Sequence, residues 1–502
     1  MNPLSLLFLL GLITYFIVQR AASMTRTPVW LLWLVAMAPA FTWISWVLFT
    51  GSRPPASVFF IPFVVCLLLY WILIQRGRVS PSVMNNPSPV LQEGESDPGI
   101  TPEPPSPPEM ARSLDKEEEA SLQNCFPWSI YYLQSIEYRP QAVICRGQMR
   151  SKSEVVYQTI SENIQEKFAD RFYVVFQEGP NGKPFFVLVP NPRSTSVPEA
   201  QQNPRLLKEK ITRPWLATAL LLATFFTTTL AWQILSNASG ELSLTLLTKG
   251  IPYALSLMAI LGIHELAHYL AARRYRILTT LPYFLPFPPI PDFFPFGTFG
   301  ACIRLKSPIP HRRALFDVGI AGPLAGFVVA LPLLLWGLAH SDLVPLPNRP
   351  DLFNFQAVDP NFSLLLALLS KIALGSTLTS ETAIKLHPIA VAGFLGIVVT
   401  AFNLMPVGQL DGGHLVHAMF GQRTGAAIGQ VARLLMLLLS FAQPHLLLWA
   451  ILLFIIPVND EPALNDVTEL DNQRDLWGLL ALGILLLIIL PTPNLLSRLL
   501  NI

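Results

Sequence analysis

Apolar residues run in long unbroken stretches at both ends of the chain and alternate with polar ones only in its middle. The stretches 3–18, 29–50 and 58–74 approach or reach the roughly 20 residues of a membrane-crossing helix. The first has no basic start and a second apolar stretch follows at once, so it is expected to be a retained helix and not a signal peptide. No Arg- and Ser-rich transit segment precedes it. From 79 to about 112 the pattern collapses into Pro, Ser, Glu, Gly and Asn, a solvated, semi-extended linker with nothing to bury.

Residues 113–205 read as a small soluble α+β domain. Val156, Ile160, Ile164 and Phe168 recur every fourth position, the stripe of an amphipathic helix. Tyr173 to Phe176 and Phe185 to Val189 read as strands flanking Asn181-Gly182, a hairpin signal. No catalytic or metal cluster is visible there, which leaves a regulatory or positioning module as the plain reading. From 206 to the end the chain is oily again. Spans are expected at 215–235, 251–272, 314–338, 384–404 and 476–490. The region 428–456 is one long helix kinked at Pro444 or two short ones, and 362–374 is too short to cross and reads as a surface or re-entrant helix. The fold class expected is a polytopic α-helical membrane protein of about eight or nine transmembrane helices with a small cytoplasmic α+β domain. Its segments are 1–78 (three-helix membrane region), 79–112 (linker), 113–205 (soluble domain) and 206–502 (membrane catalytic domain).

Composition agrees with a bilayer. The chain is 52% hydrophobic and 13% charged, with a mean hydropathy of +0.47, so the lipid bilayer is its surrounding partner. A net charge of +2 shows no nucleic-acid footprint. Cys66, Cys125, Cys145 and Cys302 form no C-x-x-C pair, and free thiols are expected. Orientation follows the basic residues. Arg20, Arg26, Arg76, Arg78, Lys208, Lys210, Arg213, Arg273, Arg274 and Arg276 all fall on one side of the expected spans, and only Arg53 lies opposite. That side, with the linker and soluble domain, is read as cytoplasmic.

Within the oily stretch 251–272 stands His264-Glu265-Leu266-Ala267-His268, an H-E-x-x-H. On a helix, positions i and i+4 share a face, so both imidazoles reach one metal ion while Glu265 reaches the water beside it. Ionisable groups inside a membrane are costly, and three together mark a site. His264 lies nine residues before Arg273, roughly 13 Å along a helix, which puts it toward the cytoplasmic side. Two His leave a tetrahedral zinc short of one protein ligand, because a catalytic site keeps a position open. Asp317 and Asp411 are the candidates, and Asp411, just past the span 384–404, returns to the matching depth. Pro406 stops that helix, and the glycines around Asp411 let the backbone turn its carboxylate inward.

H-E-x-x-H in a membrane helix followed two spans later by Asn403-Leu404-Met405-Pro406-Val407-Gly408-Gln409-Leu410-Asp411-Gly412 resembles the site-2 protease family of intramembrane zinc metalloproteases. The likeness covers roughly 215–490. It implies one Zn2+ held by His264, His268 and Asp411, Glu265 as general base, and Asn403 as a group that holds substrate or the oxyanion. The loop is longer than the family's common N-P-x-D-G. That variant, the absence of a PDZ-like insert, and the sequences Gly297-Thr298-Phe299-Gly300 and Ala321-Gly322-Pro323-Leu324-Ala325-Gly326 are similar to the branch containing plastid EGY proteins and cyanobacterial relatives. A bacterial, cyanobacterial-like plasma or thylakoid membrane is the expected location, and single-span membrane proteins the expected substrates. Nothing in the sequence sets an oligomeric state.

Plainer readings compete at each position. A buried polar network without metal is the alternative for His264, Glu265 and His268, a turn-forming Asp before Gly for Asp411, and a helix-ending Asn for Asn403. His414 and His417 follow the glycine turn and are not expected to ligate. Gly319, Gly322 and Gly326 are expected to permit close helix packing. The prolines of 281–306 forbid a plain spanning helix there, and 297–305 is expected to form a short exposed strand to which an unwound substrate adds. A membrane transporter is the rival of another class, but it calls for an internal repeat that the sequence lacks. An inactive zinc-binding scaffold is a second, though its usual sign would be loss of Glu265.

Overall fold

The computed structural model describes residues 11, 14–15, 18, 28–50, 62, 66, 69, 73, 116–139, 142–179, 182–194, 213–236, 244–290, 294–347, 354–443 and 446–502. The stretches 3–18 and 58–74, apart from single positions, and the linker 79–112 lie outside these, as do Asn181, Pro291, Pro444 and His445. The chain divides into two compact units, Met1–Pro105 and Ser106–Ile502. In the first, α1 (Val29–Thr50) fills the second expected span with 22 residues despite Pro39.

The second unit begins with the α+β fold: α2 (Lys116–Asn124), β1 (Tyr131–Arg139), β2 (Ala142–Met149), α3 (Ser153–Phe168), β3 (Phe172–Glu178) and β4 (Pro184–Pro190). The four strands form one antiparallel sheet in the order β1-β2-β4-β3, leaving β3 at an edge. The residues of α3 that bury are Val156, Ile160, Ile164 and Phe168, the stripe read from the spacing. They cover a core in which Phe176 stacks on Phe186 at 4.3 Å and Tyr131 meets Phe186 edge-on at 5.2 Å. The first hairpin, β1–β2, was not legible from alternation. β1 carries Gln134, Ser135, Glu137 and Arg139, and a bulge between Leu133 and Ser135 breaks its period of two. Cys125 and Cys145 are buried free thiols, and burial pushes Cys145 up to about 12.

The rest of the unit is mostly helical. In order come α4 (Pro214–Leu235), α5 (Leu244–Arg274), β5 (Tyr283–Pro286), β6 (Thr298–Cys302), α6 (Arg312–Ala339), β7 (Asp342–Pro345), α7 (Leu364–Leu374), β8 (Thr382–Lys385), α8 (Pro388–Leu404), α9 (Asp411–Phe420), α10 (Gln422–Ala442), α11 (Leu447–Ile455), α12 (Asn472–Ile489) and α13 (Asn494–Leu500). Among the described residues, five helices are long and apolar enough to cross a membrane: Pro214–Leu235, Leu247–Arg274, Arg312–Ala339, Gln422–Phe441 and Asn472–Ile489. The chain is an integral membrane protein. The 428–456 region resolves into two helices, α10 and the nine-residue α11. The 384–404 stretch begins as β8, because His387 caps α8 and Pro388 starts it, which shortens the helix to 17 residues. The 362–374 stretch is the short α7, closed by Gly375.

α5, α6 and α8 pack against one another and form the heart of the membrane region, with α4 against α5 and α12 against α8. The segment 281–306 is indeed no helix. β5 and β6 pair antiparallel, with Phe284 opposite Ala301. The hairpin is pinned to the helices: the Thr227 hydroxyl donates to the Gly297 carbonyl (2.7 Å) and the Tyr253 hydroxyl to that of Phe296 (3.0 Å). Asp317 accepts two bonds from Arg474 (2.7 and 2.8 Å) and one from Tyr275, so α6 is tied to α12.

Candidate metal centre

On α5 the polar and apolar residues separate by face. His264, Glu265 and His268 are buried, whereas Ile263, Leu266 and Leu270 are exposed on the outer side of the same turns. Opposite the histidines runs α6, antiparallel to α5, and its Gly322 and Gly326 repeat the spacing of four. A Cβ at Gly322 would overlap the His268 imidazole, and one at Gly326 would come within 3.1 Å of His264 Nδ1. The expectation that these glycines permit close packing thus gains a specific content: they make room for the imidazoles. Gly319 does the same for α9, where a Cβ would stand 3.2 Å from the Asp411 carbonyl.

Asp411 arrives from 143 residues away. α8 ends at Leu404, the chain turns through Pro406 and Gly408, whose φ is +51°, and α9 starts at Asp411 itself. This turn points the Asp411 carboxylate at the histidines: its Oδ2 lies 3.4 Å from His264 Nε2 and 3.2 Å from His268 Nε2, and the two Nε2 atoms are 3.1 Å apart. Donors about 2 Å from a tetrahedral zinc stand about 3.3 Å from each other, so three edges of that tetrahedron are already drawn. The group is the candidate metal cluster among the described residues.

The tautomer of His268 is set by the backbone. Its Nδ1 lies 2.7 Å from the Val318 carbonyl, which only accepts, so Nδ1 carries the proton and Nε2 presents a lone pair to the cluster. Asn403, one residue before the end of α8, sits with Nδ2 3.3 Å from His264 Nε2. Glu265 receives a hydrogen bond from the Ile303 backbone, immediately after β6. Asp317 stays with Arg474 and does not enter the cluster. Of the other histidines, His311 and His387 cap α6 and α8, accepting from Ala314 N–H (3.1 Å) and Ile389 N–H (3.3 Å).

Residues 252–443 match the family model described as Peptidase family M50. Residues 120–197 match a second model, the EGY3 middle domain. The chain is 30% identical to the probable zinc metalloprotease EGY2, chloroplastic, of Oryza sativa subsp. indica, over 73% of this chain and 65% of that protein. It is 29% identical to the probable zinc metalloprotease EGY1, chloroplastic, of Arabidopsis thaliana, over 70% and 66%. With the EGY3 protein of the same rice subspecies the figures are 26%, 74% and 63%. The chain thus spans slightly less than two thirds of the length of these relatives. No solved structure matches it.

Beside the cluster of His264, His268 and Asp411 lies a second network that sequence reading missed. His417 on α9 has both ring nitrogens on carboxylates: Nδ1 to Asp460 at 2.8 Å and Nε2 to Asp466 at 2.9 Å. His414 Nδ1 reaches the same Asp460 oxygen at 2.8 Å. Nothing in the sequence ties residues 417, 460 and 466 together, since the pairing is made by a loop folding back. Burial disfavours a charged His417, but the bonds it donates to Asp460 and Asp466 outweigh that and raise it to about 9. Asp460 is buried too, yet bonds from His414 and His417 hold it at about 2. The His417 contribution to stability is full below its ordinary value of 6.5 and is lost as pH climbs through about 9. Thermal unfolding in detergent should therefore show a drop in midpoint from pH 7 to 10 that His417→Gln makes shallower. Equal slopes for the two proteins would contradict the assignment.

Proposed function

We propose that this protein is an intramembrane zinc endopeptidase that cuts a peptide bond in or near the transmembrane helix of a single-span membrane protein. The observation that carries the reading is the convergence of His264 Nε2, His268 Nε2 and Asp411 Oδ2 at 3.1–3.4 Å beside a buried Glu265. These three residues hold the zinc ion, and the donor set of two imidazoles and one carboxylate suits it. Zinc at such a site acts as a Lewis acid and brings the pKa of water toward ~7.

Glu265 is the general base. It takes the proton of the attacking water and returns it to the leaving amine, and its burial keeps bulk water from its carboxyl. The Asn403 amide, aimed at the same point from α8, donates to the oxyanion. A substrate helix hides its carbonyls in its own hydrogen bonds and must unwind before attack. β6 offers the unwound chain a place to pair. It has one partner strand among the described residues, and the chain leaving it binds Glu265 through Ile303. Deleting 298–302 while zinc stays bound should abolish turnover.

The lipid bilayer is the medium. About eight or nine crossings, in a bacterial plasma or thylakoid membrane, complete the proposed topology. The clustering of Arg273, Arg274 and Arg276 at the end of α5 and of Lys208, Lys210 and Arg213 before α4 favours a cytoplasmic side for the α+β domain. The test is metal removal. Purified protein treated with a strong zinc chelator should lose cleavage of a panel of single-span substrates and regain it with one equivalent of zinc. Undiminished cleavage after elemental analysis shows the metal gone would refute the reading.

A further inference from the structure

Segment 460–467 touches both the α+β domain and the metal-bearing helix, beside a direct ion pair between Arg313 of α6 and Glu154 of α3 at 3.4 Å. β3 is the edge strand of the domain's sheet. Against it lies Leu464 to Asp466: the Phe176 N–H donates to the Leu464 carbonyl at 2.6 Å, and the Asp466 N–H donates to the Phe176 carbonyl at 2.9 Å. The other side of the same segment is held by the chain leading into α6. Leu464 N–H donates to the Ile309 carbonyl and Asn465 N–H to that of Pro310, both at 2.9 Å. Val467 packs onto the hydrophobic core of the domain. The segment thus bridges the soluble sheet and the membrane region, with Asn465 forming single parallel β-bridges to Phe176 on one side and His311 on the other.

The same eight residues grip α9. Asp460 and Asp466, both buried, take the two nitrogens of His417, whose side chain is almost wholly enclosed. The Asp460 carbonyl accepts from Gln422 Nε2 at 2.8 Å, just after α9 ends. Arg312, at the start of α6, donates from Nε to the Ala418 carbonyl at 2.8 Å. α9 has ten residues, and its first is Asp411. So short a helix moves as one body, and whatever fixes its second half fixes the Asp411 carboxylate.

We propose that segment 460–467 is a tie that carries the docking of the α+β domain to α9 and so holds Asp411 in the metal site. His417, Asp460 and Asp466 are then positioning residues for the metal, and the soluble domain is part of the site's outer support. This rests on the zinc reading of His264, His268 and Asp411. A loop fastened for stability alone would place the same groups together, so the test must separate zinc affinity from overall stability.

The experiment uses the full chain in detergent and measures two quantities for each variant: zinc Kd by competition with a fluorescent chelator, and the thermal midpoint. Asp466→Asn keeps the shape of the network but removes its charge, and should weaken zinc about 10- to 100-fold, the range for partners that orient a ligand. Val467→Asp breaks the docking without touching His417 and should weaken zinc in the same direction by about tenfold or more. If Val467→Asp does not fold, Val467→Ala with hydrogen exchange over residues 411–420 replaces it, and faster exchange there is the expected result. Leu485→Ala, a cavity in the buried face of α12, should lower the midpoint and leave zinc affinity within twofold of wild type. The tie is overturned if Asp466→Asn and Val467→Asp bind zinc like wild type, if 411–420 exchange is unchanged in Val467→Ala, or if Leu485→Ala weakens zinc as much as they do. Wild-type protein that binds no zinc at all overturns the metal reading itself, and the tie with it.

Discussion

Glu265→Gln should lower peptide-bond hydrolysis by about two to four orders of magnitude while zinc stays bound, the loss expected when a positioned general base is removed. The two predictions belong together because Glu265 is not one of the three converging donors. Gln is close in size and keeps a carbonyl oxygen for the Ile303 backbone bond, so α5 and the start of the segment after β6 need not move. Gln cannot take a proton from water, and among the described residues the nearest candidates are engaged: His264 and His268 belong to the cluster, and Asp411 faces them at 3.4 and 3.2 Å. Elemental analysis and substrate cleavage on the same preparation decide the matter. Equal cleavage by variant and wild type would remove Glu265 from the chemistry. Loss of zinc along with activity would instead make it a structural prop of the site. The same pair of measurements speaks to the rival readings, since neither a transporter nor an inactive scaffold has a hydrolytic rate for Glu265 to support.

Gly322→Ala should cost the protein its zinc. A methyl group there would collide with the His268 ring, on the edge that carries Nε2. The ring has nowhere to retreat while its Nδ1–H stays 2.7 Å from the Val318 carbonyl on the same helix α6. Either α5 and α6 separate or the imidazole turns away, and in both cases one of the three proposed ligands leaves. Affinity should fall on the order of a hundredfold or more, beyond the loss seen when only an orienting partner is removed. Helix propensity pulls the other way, since Ala in a helix interior is favoured over Gly by up to about 1 kcal/mol. A helical glycine in open space supplies the control. Gly483 of α12 has no atom within 4 Å of its would-be Cβ, and Gly483→Ala should leave zinc binding unchanged and stability equal or slightly higher. Zinc affinity of Gly322→Ala within twofold of wild type would show that the two helices are not pressed together at this point.

Short-range pattern was enough wherever a few neighbouring residues settle the outcome. The spacing of His264 and His268 puts both imidazoles on one helical face whatever surrounds them, and four apolar residues at intervals of four give α3 its buried stripe. The prolines of 281–306 rule out a helix because they remove amide donors, and the structure has a β-hairpin there. Asp411 was legible too, but by a longer route, from alternating crossings and a matched depth. Tertiary structure alone decided the rest. β1 hides its strand character because its polar residues and bulge leave no alternation to read. The Val318 carbonyl carries no side-chain signature, so its hold on His268 exists only once α5 and α6 lie together. Gly322 and Gly326 share the spacing of the histidines, but that they face those rings follows from the antiparallel contact of two helices. His417, Asp460 and Asp466 meet because a loop folds back beneath α9. The physical reason is common to all four cases. Periodicity reports the local backbone and which side it buries, whereas a contact between distant residues depends on how whole surfaces pack, and packing is a property of the assembled chain.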